Sequence, residues 1–542
     1  MAEQKTRKYI FVTGGVLSGL GKGITAASVG NILKARGYKV FLQKLDQYIN
    51  YDAGTLNPGE HGEVFVTDDG AETDLDLGHY ERFVDENFSQ DSSIMTGRVY
   101  SDVIARERKG DFLGKTVQII PHITDHVKEI ITGAADRFGA DISIIEVGGT
   151  IGDYEGMYFL EAIRQLKNDV GADNIMYIHV VFLPYLEVTK EVKTRPAQYS
   201  VRDLQGMGVH PDAVMCRCDH AIPQPGINKI ALASSLPSSA VVPLETAKTV
   251  YNVPLTLENY GFGDLIIDKL KLENTQADHS EWKDLVVKIL SDKRKVNIGM
   301  VAKYTTMEDT YLSIFEALKS AGWLHNIDVN IKWVDAEDLE NKEANFDELL
   351  GECDGIVVPG GFGSRGIEGK INAVRYAREK SVPFLGLCLG MQVATIEFAR
   401  NVLGLNGANS EEFNEKAIHP VIHIMEYQKK ISDKGGTMRL GAYPCVLRRG
   451  SKAHAAYKTL DISERHRHRY EFNNKYRKDF EKHGMILSGI SPDRELVEII
   501  ELEDHPWFVA SQFHPEFKSR PTRPHPLFRD FIEAVIKTAS LL

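Results

Sequence analysis

Cysteine is scarce in this sequence, and long uninterrupted apolar runs do not occur. The chain of 542 residues contains five cysteines, an odd and scattered set, which indicates a reducing compartment and no disulfide framework, so we expect a cytoplasmic protein. No apolar run approaches the roughly 18 residues that a membrane span needs. Residues 1–8 are rich in charge and lack an apolar signal core. We therefore expect neither export nor membrane insertion.

Positive charge is also in deficit, because the formal net charge is -12. Such a balance argues against broad binding to nucleic acid or to anionic membranes, although local basic pockets for phosphorylated small molecules remain compatible with it. The pair Cys216-Arg-Cys218 has no second Cys or His pair at zinc-like spacing nearby, so we interpret these thiols as structural. The hydrophobic fraction of 43% is ordinary for a folded protein.

Short β-branched runs alternate with amphipathic stretches along both halves of the chain. Examples are residues 9–13, 39–42, 142–146 and 174–183 in the first half, and residues 296–301, 354–359 and 382–387 in the second. The alternation predicts two doubly wound α/β domains, the first with a mostly parallel sheet. A polar segment at residues 273–280 interrupts the pattern. We therefore expect a first domain at residues 1–271, a linker at 272–295 and a second domain at 296–542.

The segment Gly386-Leu-Cys388-Leu-Gly390 follows an apolar strand and opens an amphipathic helix. It has the form of a nucleophile elbow with cysteine at its apex, since a sharp strand-to-helix turn needs small neighbours and a helix N-terminus favours the thiolate. A buried structural cysteine would have the same sequence in isolation. The motif therefore indicates catalysis only if it has partners.

Candidate partners lie near the C-terminus, in Gln512-Phe-His514-Pro-Glu516. His514 is suited to take the thiol proton, and Glu516 to orient the imidazole. Upstream, residues 358–363 form a glycine-rich turn after a strand, where backbone N–H groups are available for a tetrahedral oxyanion. A plain tight turn would share that sequence.

Together these motifs resemble the class I glutamine amidotransferase domain. The resemblance implies that Cys388 is the acyl-enzyme nucleophile, His514 its base and Glu516 the orienting carboxylate. Five further residues would then hold glutamine, namely Gly361 and Leu389 through backbone N–H groups, Gln392, and Glu412 and Arg469 at the α-amino and α-carboxylate ends. Arg469 ends the basic run of residues 465–469, which we interpret as carboxylate recognition and not as a nucleic-acid patch.

A second chemical task is indicated near the N-terminus, where a strand, a glycine-rich loop with a lysine and a helix follow one another. Residues 14–23 read Gly-Gly-Val-Leu-Ser-Gly-Leu-Gly-Lys-Gly, which predicts a phosphate cradle. The loop departs from the strict Walker pattern, because Val16 replaces the first glycine and Gly23 replaces the Ser or Thr that usually contacts magnesium. Candidate metal ligands are therefore carboxylates elsewhere, in Asp74, Asp76 and Glu146.

Three further segments carry groups suited to a nucleotide, although each is weak alone. Residues 148–155 combine glycines with carboxylates, residues 193–198 present two cations and an amide on a turn, and Lys229 offers another phosphate contact. With the long motifs at residues 44–50, 61–66, 69–82 and 114–124, these segments resemble the amidoligase domain of the CTP synthase family. The resemblance runs from about residue 8 to the C-terminus.

This resemblance implies two nucleotide sites and a Mg²⁺ site at Asp76 and Glu146. The implied ATP contacts are Gly19, Leu20, Gly21, Lys22, Gly23, Ile24, Lys44 and Asp76. The implied UTP or CTP contacts are Ser18, Asp153, Tyr154, Glu155, Lys193, Thr194, Arg195, Pro196, Ala197, Gln198 and Lys229. Gln47 and Ala53 stand where the family commonly has proline, and residues 244–248 depart from its pattern, so the adenine pocket has no assigned residues.

The implied reaction is the amination of UTP to CTP. ATP would phosphorylate the uracil 4-oxo group, and ammonia from glutamine hydrolysis at Cys388 would reach it through a shielded passage and displace the phosphate. The resemblance also implies GTP as an allosteric activator, CTP as a feedback inhibitor, and a homotetramer that could form filaments. Two alternatives stay open, a related amidoligase such as a cobyric-acid or cobyrinate diamide synthase and a ParA-like switch ATPase. The nucleotide segments argue against the first, and the Cys-His-Glu set against the second.

Overall fold

The computed structural model describes residues 7–303, 307–341, 345–425, 428 and 435–540. Its strands are β1 Lys8–Gly14, β2 Val40–Asp46, β3 Phe65–Val66, β4 Glu72–Thr73, β5 Ser93–Met95, β6 Ile142–Val147, β7 Ile175–Phe182, β8 Tyr185–Leu186, β9 Glu191–Val192, β10 Ala213–Cys218, β11 Val241–Glu245, β12 Arg294–Ala302, β13 Ile327–Asp335, β14 Gly355–Val358, β15 Phe384–Leu387, β16 Ala408–Ser410, β17 His419–Ile424, β18 Arg439–Leu447, β19 Asp461–His468, β20 Tyr470–Phe472, β21 Met485–Ile490, β22 Val497–Leu502 and β23 Phe508–Ser511.

Its α-helices are α1 Lys22–Ala35, α2 Pro58–His61, α3 Asp76–Val84, α4 Thr96–Lys109, α5 Thr124–Phe138, α6 Met157–Val170, α7 Arg195–Gly206, α8 Gln224–Ser234, α9 Val253–Asn259, α10 Phe262–Leu270, α11 Ser280–Leu290, α12 Leu312–Leu324, α13 Phe346–Leu350, α14 Ile367–Lys380, α15 Leu389–Asn401, α16 Lys452–Tyr457, α17 Arg477–Lys482 and α18 Pro526–Ala539. Within the described ranges, no helix is both long enough and apolar enough to cross a bilayer.

Contacts group the chain into two compact units. The first contains the chain up to Ala53 together with Asp76–Leu290, and the second contains Gly54–Leu75 together with the chain from Ser291 onward. A segment from the N-terminal half of the sequence therefore packs with the C-terminal unit. This grouping by contacts does not test the domain boundaries expected from the sequence, which end the first domain at residue 271 and begin the second at residue 296. Those boundaries stay a prediction.

The first unit is built on a parallel sheet of seven described strands in the order β11-β10-β7-β1-β6-β2-β5. Strand β1 lies at its centre, where Ile10 is paired with Ile144 on one side and with Met176 on the other. Both faces of these central strands are buried, which explains their continuous apolar runs. The carboxyl ends of β1, β2 and β6 meet at one edge, the usual place for a ligand in such a sheet.

The second unit contains a nine-stranded sheet in the order β13-β12-β14-β15-β23-β22-β21-β18-β19. Its first five strands are parallel, and the remaining pairings are antiparallel. Leu387 at the end of β15 is paired with Ser511 at the end of β23. The residues that follow these two strands therefore emerge side by side. The α/β architecture predicted from the sequence is confirmed.

Candidate functional sites

Cys388 occupies a strained turn between β15 and α15. Its backbone has φ 52° and ψ -100°, a region that non-glycine residues rarely adopt. A Cβ on Gly390 would lie 2.2 Å from the carbonyl oxygen of Val358, and a Cβ on Gly386 would lie 2.9 Å from Ala510 Cβ. Side chains at either glycine would therefore displace the turn. The local structure is that of the elbow predicted from the sequence.

His514 and Glu516 lie beside this turn in the second unit. The Nδ1 atom of His514 is 2.6 Å from Glu516 Oε1, and the backbone N–H of Cys388 donates to the carbonyl of Ser511 at 2.7 Å. Burial alone would lower the pKa of His514, but the charges of Glu516 and Cys388 raise it to about 10. An imidazole that holds its proton this strongly, in the same cavity as a thiol, is suited to act as the base for a nucleophilic cysteine.

These three side chains open into one cavity of about 130 Å³. Part of its wall comes from Gly54–Leu75, which contributes Pro58, Glu63 and Val64. The Glu63 carboxylate accepts hydrogen bonds from both the backbone N–H and the hydroxyl of Ser313, and this contact fixes the segment to α12. The sequence patterns did not reveal this wall, because it depends on contacts between distant parts of the chain.

The turn of residues 358–363 borders the same cavity. A Cβ on Gly360 would lie 2.9 Å from His514 Cε1 and 3.7 Å from Cys388 Cβ, so the bare backbone of this turn faces these two side chains. Lys303 supports the turn, since its Nζ donates to the carbonyls of Phe362 and Gly363 at 2.7 and 2.6 Å. The arrangement is compatible with an oxyanion hole that includes the Gly361 N–H.

Lys370 lies behind this turn with an unusual environment. It belongs to α14, its side chain is fully buried, and its Nζ has no hydrogen-bond partner among the described residues. The nitrogen lies 3.9 Å from the position that a Cβ on Gly361 would take. Burial and the nearby charge of Lys303 lower the pKa of Lys370 to about 7. Sequence patterns did not single out this residue.

The remaining residues expected at the glutamine site lie around the same region. Leu389 begins α15, and a Cβ on Gly361 would approach its Cδ2 to 3.4 Å. Glu412 Oε1 accepts the N–H of Gly363 at 2.8 Å, while Arg469 donates to Gln428 Oε1 at 2.6 Å and to Thr437 Oγ1 at 2.8 Å. Gln392 Nε2 donates to the carbonyl of Tyr470 at 3.2 Å.

The basic run of residues 465–469 is held inside the second unit. The carbonyls of Arg465 and Arg467 accept hydrogen bonds from His514 N at 2.8 Å and from Cys388 Sγ at 3.8 Å. The side chains of both arginines meet carboxylates of Gly54–Leu75, since Arg465 pairs with Asp68 and Arg467 with Glu72. Through Arg467, the run forms part of the wall of the Cys388 cavity.

In the first unit, the predicted phosphate loop connects β1 to α1. Gly19 and Gly21 have positive φ angles of 71° and 84°, and α1 begins at Lys22. The Lys22 Nζ donates to the carbonyl of Gly149 at 2.6 Å, and burial lowers its pKa despite the neighbouring carboxylate of Glu146. Ser18 and Gly19 are exposed, Leu20 is buried, and Gly23 and Ile24 fall in the first turn of α1. This is the geometry of an anion site at a helix N-terminus.

Asp76 and Glu146 converge beside this loop. A Cβ on Gly23 would lie 2.1 Å from Asp76 Oδ1 and 3.3 Å from Glu146 Oε2, so the lack of a side chain at Gly23 lets both carboxylates approach the start of α1 closely. Lys44 Nζ is 2.5 Å from Asp76 Oδ2. Burial and the charge of Asp76 raise the pKa of Glu146 to about 7. Two crowded carboxylates of this kind suit a hard divalent cation.

The described residues contain no group of three or more His, Cys, Asp or Glu side chains arranged to hold a metal ion. The pair at Asp76 and Glu146 nevertheless fits Mg²⁺, because this ion commonly takes one or two carboxylates and completes its shell with water and phosphate oxygens. Tyr80 donates a hydrogen bond from its hydroxyl to Glu146, which holds that side chain in place.

Apart from Ser18 and Lys229, the residues expected to bind UTP or CTP fall into two groups. Asp153 Oδ2 accepts from Thr150 N at 2.7 Å and from Gln47 Nε2 at 3.0 Å. Tyr154 and Glu155 follow on the surface and border an open, mainly apolar cavity of about 820 Å³. Gln47 therefore supports the Asp153 loop.

The second group lies at the start of α7. Pro196 and Ala197 are in its first turn, Gln198 Nε2 donates to Thr194 Oγ1 at 3.0 Å, and Arg195 donates to Tyr199 Oη at 3.2 Å. Lys193 lies 2.5 Å from Glu191, whose pKa is lowered by Lys193 and also by Lys229. Lys193 and Lys229 therefore both lie near Glu191.

The phosphate loop and α7 are in direct contact. A Cβ on Gly15 would lie 1.6 Å from Ser200 Oγ and 3.2 Å from His179 Nε2. His179 is buried and hydrogen-bonds to Ser200 and Thr13 at 2.8 and 2.9 Å. The absence of a side chain at Gly15 therefore allows the two candidate nucleotide segments to pack together.

Comparisons with known proteins extend over nearly the whole chain. Residues 8–272 match the family model described as CTP synthase N-terminus, and residues 306–534 match glutamine amidotransferase class-I. The chain is 58% identical over 530 residues to a CTP synthase of Herpetosiphon aurantiacus, covering 98% of this chain and 99% of that protein. It is 57% identical over 534 residues to a CTP synthase of Carboxydothermus hydrogenoformans, covering 98% and 99%.

Among solved structures, the glutaminase domain of Trypanosoma brucei CTPS with bound acivicin is 40% identical to this chain. That match covers 45% of this chain and 94% of the other, with a TM-score of 0.43. The family models and the full-length relatives confirm the resemblance seen in the sequence motifs. This chain belongs to the CTP synthase family.

Proposed function

We propose that this protein aminates UTP to CTP, with ATP to activate the pyrimidine and glutamine to supply the nitrogen. The observation that carries the proposal is the strained Cys388 turn, which shares one cavity with the hydrogen-bonded His514 and Glu516. A phosphate loop and a pair of carboxylates in the other unit are suited to the second part of the reaction, the activation of the pyrimidine by ATP. The protein is a glutamine-hydrolysing ligase that forms a C–N bond.

In the glutamine half, the Cys388 sulfur attacks the side-chain amide carbon of glutamine. His514, held by Glu516, passes a proton to the departing nitrogen, which leaves as ammonia, and water then hydrolyses the thioester to glutamate. The N–H groups of Gly361 and Leu389 receive the oxyanion. Gln392, Glu412 and Arg469 hold the amino-acid substrate, and the fixed positions of their side chains support this assignment.

In the ATP half, the phosphates lie on the loop of residues 19–24 with Lys22 and Lys44 as neutralising cations. Asp76 and Glu146 hold Mg²⁺, which when bound neutralises phosphate charge. The cations of this site lie at the carboxyl edge of a parallel sheet, where charge developed during phosphoryl transfer is stabilised by fixed groups. The facing carboxylates at Gly23 support the metal assignment.

The pyrimidine nucleotide is bound by two segments and two further residues. These are Asp153, Tyr154 and Glu155, the segment from Lys193 to Gln198, and Ser18 and Lys229. Cations at the start of α7 suit a triphosphate, and the packing of Gly15 on Ser200 supports a location beside the ATP loop. The same segments bind CTP as a feedback inhibitor. Amination needs unprotonated ammonia, which is why it is generated within the protein and carried in a shielded passage.

Regulation and assembly complete the proposal. GTP activates the enzyme, and the protein works in the cytoplasm as a homotetramer that could form filaments. The full-length identity to family members supports these points. Exposed apolar residues around the larger cavity, including Ile49, Ile119 and Ile120, support a surface covered by another copy.

One assay tests the reaction. CTP is followed with ATP, UTP and glutamine, with each component omitted in turn. The proposal predicts CTP only when all three are present, and ammonium at alkaline pH in place of glutamine should restore it. ATP hydrolysis that is independent of UTP, with no CTP formed, would contradict the proposal.

A further inference from the structure

Gln512 touches the sulfur that the glutaminase reaction uses. It follows β23, is fully buried, and its Nε2 lies 3.7 Å from Cys388 Sγ, within the range of a hydrogen bond to sulfur. No role was assigned to this side chain by the sequence motifs. Gln512 also differs chemically from His514, the predicted base. It approaches the sulfur with an amide group, which does not titrate.

The orientation of this amide follows from a chain of partners. The carbonyl oxygen of Tyr470 can only accept, so the Gln392 atom 3.2 Å away is the nitrogen Nε2. That same nitrogen lies 3.4 Å from Gln512, where its partner must be the oxygen Oε1. The NH₂ group of Gln512 is therefore left to face the sulfur. The backbone N–H of Gln512 donates to the carbonyl of Glu498 at 2.8 Å, which fixes the main chain.

The sulfur has two contacts of opposite character. The Arg467 carbonyl, at 3.8 Å, can accept only from a protonated S–H group. The Gln512 NH₂ group is a donor, so its hydrogen bond is strongest when the sulfur carries negative charge. Because both contacts lie in a buried, poorly solvated site, the change from thiol to thiolate exchanges one partner for the other.

We propose that Gln512 is a further catalytic residue of glutamine hydrolysis, donating a hydrogen bond to the Cys388 thiolate. The inference rests on the proposed role of Cys388 as the nucleophile. The bond stabilises the reactive anion before it attacks glutamine, and again when hydrolysis of the thioester releases the sulfur. His514 supplies the charge beside the sulfur, and Gln512 supplies a fixed dipole.

Two substitutions test the proposal in the full chain. Gln512→Glu has nearly the same shape but places a carboxylate beside the sulfur, and Gln512→Met removes the donor without adding charge. Each is treated with iodoacetamide over a range of pH, and the rate of Cys388 modification is read from the mass of its peptide. Thr395→Val is the matched control, because Thr395 is equally buried on α15 and its hydroxyl donates to its own helix, at the Met391 carbonyl.

The proposal predicts that the pH of half-maximal modification rises in both variants and is unchanged in the control. At neutral pH the modification rate falls about tenfold in Gln512→Glu and about threefold in Gln512→Met. The rate of glutamine hydrolysis at saturation falls in parallel. CTP formation from added ammonium stays normal, which shows that the first unit is intact.

Unchanged pH profiles of modification in both variants would overturn the role of Gln512. If Gln512→Glu does not fold, Gln512→Met decides the question, because it introduces no buried charge. Cys388→Ala separates this inference from the function on which it rests. Persistent glutamine hydrolysis in Cys388→Ala would refute the proposed nucleophile itself, whereas its loss together with normal Gln512 variants would refute only the role of Gln512.

Discussion

The fully buried guanidinium of Arg465 is paired with the carboxylate of Asp68, with Nε 2.5 Å from Oδ1. Asp68 belongs to Gly54–Leu75, and Arg465 lies on β19, whose backbone contacts His514. The pair therefore links Gly54–Leu75, which forms part of the wall of the Cys388 cavity, to the strand beside His514. Removing Asp68 would leave the buried Arg465 cation without this counter-charge.

Asp68→Ala should consequently impair the glutamine reaction. We expect a loss of about 2 kcal/mol in the free energy of unfolding, because the pair is partly exposed at Asp68 and is worth less than a fully buried one. Glutamine-dependent CTP formation should fall more than ammonium-dependent formation. The exposed Asp461→Ala on the same strand is the control. Equal activities of Asp68→Ala and Asp461→Ala with glutamine would show that the pair does not support the cavity.

Cys388→Ala should abolish CTP synthesis from glutamine and leave synthesis from ammonium at alkaline pH. The reason is that the thiol is needed only to release nitrogen, whereas activation of UTP takes place elsewhere. Steady-state rates with the two nitrogen sources measure this division. Cys353→Ala, at a buried thiol outside the cavity, should retain both activities. Parallel loss of both activities in Cys388→Ala would argue against separate sites.

Lys22→Ala should remove CTP synthesis with either nitrogen source, because phosphorylation of UTP precedes amination. An effect of about a hundredfold or more is expected when a cation on the transferred phosphate is lost. Lys39→Ala, at an exposed lysine of the same unit, is the control. Normal CTP formation by Lys22→Ala from ammonium would refute the phosphate-loop assignment.

Lys370→Met should stabilise the protein in a pH-dependent manner. The pKa of Lys370 is lowered from its ordinary 10.5 to about 7, so between these values the unfolded chain binds more protons than the folded one, and stability rises with pH. The full cost of the buried amine is present below about pH 7 and is lost as the pH approaches 10.5. At about 1.4 kcal/mol per pKa unit, the variant should therefore gain several kcal/mol below pH 7, and this gain should shrink steadily toward strongly alkaline pH.

Denaturant unfolding at several pH values measures this gain. Lys380→Met, at the exposed end of the same helix, should show no such dependence. A Lys370→Met variant that is less stable than the parent at low pH would mean that the amine has a partner on which folding depends.

The sequence anticipated features that are local along the chain. The Cys388 turn and the phosphate loop each combine a strand, small residues and a helix within about a dozen residues, and their residue types follow directly from backbone geometry and helix termini. The pairing of His514 with Glu516 was also accessible, because a single residue, Pro515, separates them. The fold class followed from the apolar periodicity of the strands, and the family models confirm it.

Features that depend on tertiary packing were not accessible in this way. The inclusion of Gly54–Leu75 in the second unit follows from contacts such as Glu63 with Ser313, which are 250 positions apart. The contact of Gln512 with Cys388 and the isolation of the Lys370 amine likewise depend on which side chains the folded chain brings together. Charged residues near Asp68 and Glu72 were the available signal, since they complement the basic run at residues 465–469.

The central claim is that glutamine nitrogen released at Cys388 becomes the 4-amino group of CTP. The most direct measurement is mass spectrometry of CTP made from UTP, ATP and glutamine labelled with nitrogen-15 in its side-chain amide, in the presence of unlabelled ammonium at neutral pH. The account predicts that the label appears in CTP with little dilution. CTP without the label, or no CTP at all while glutamine is consumed, would contradict it.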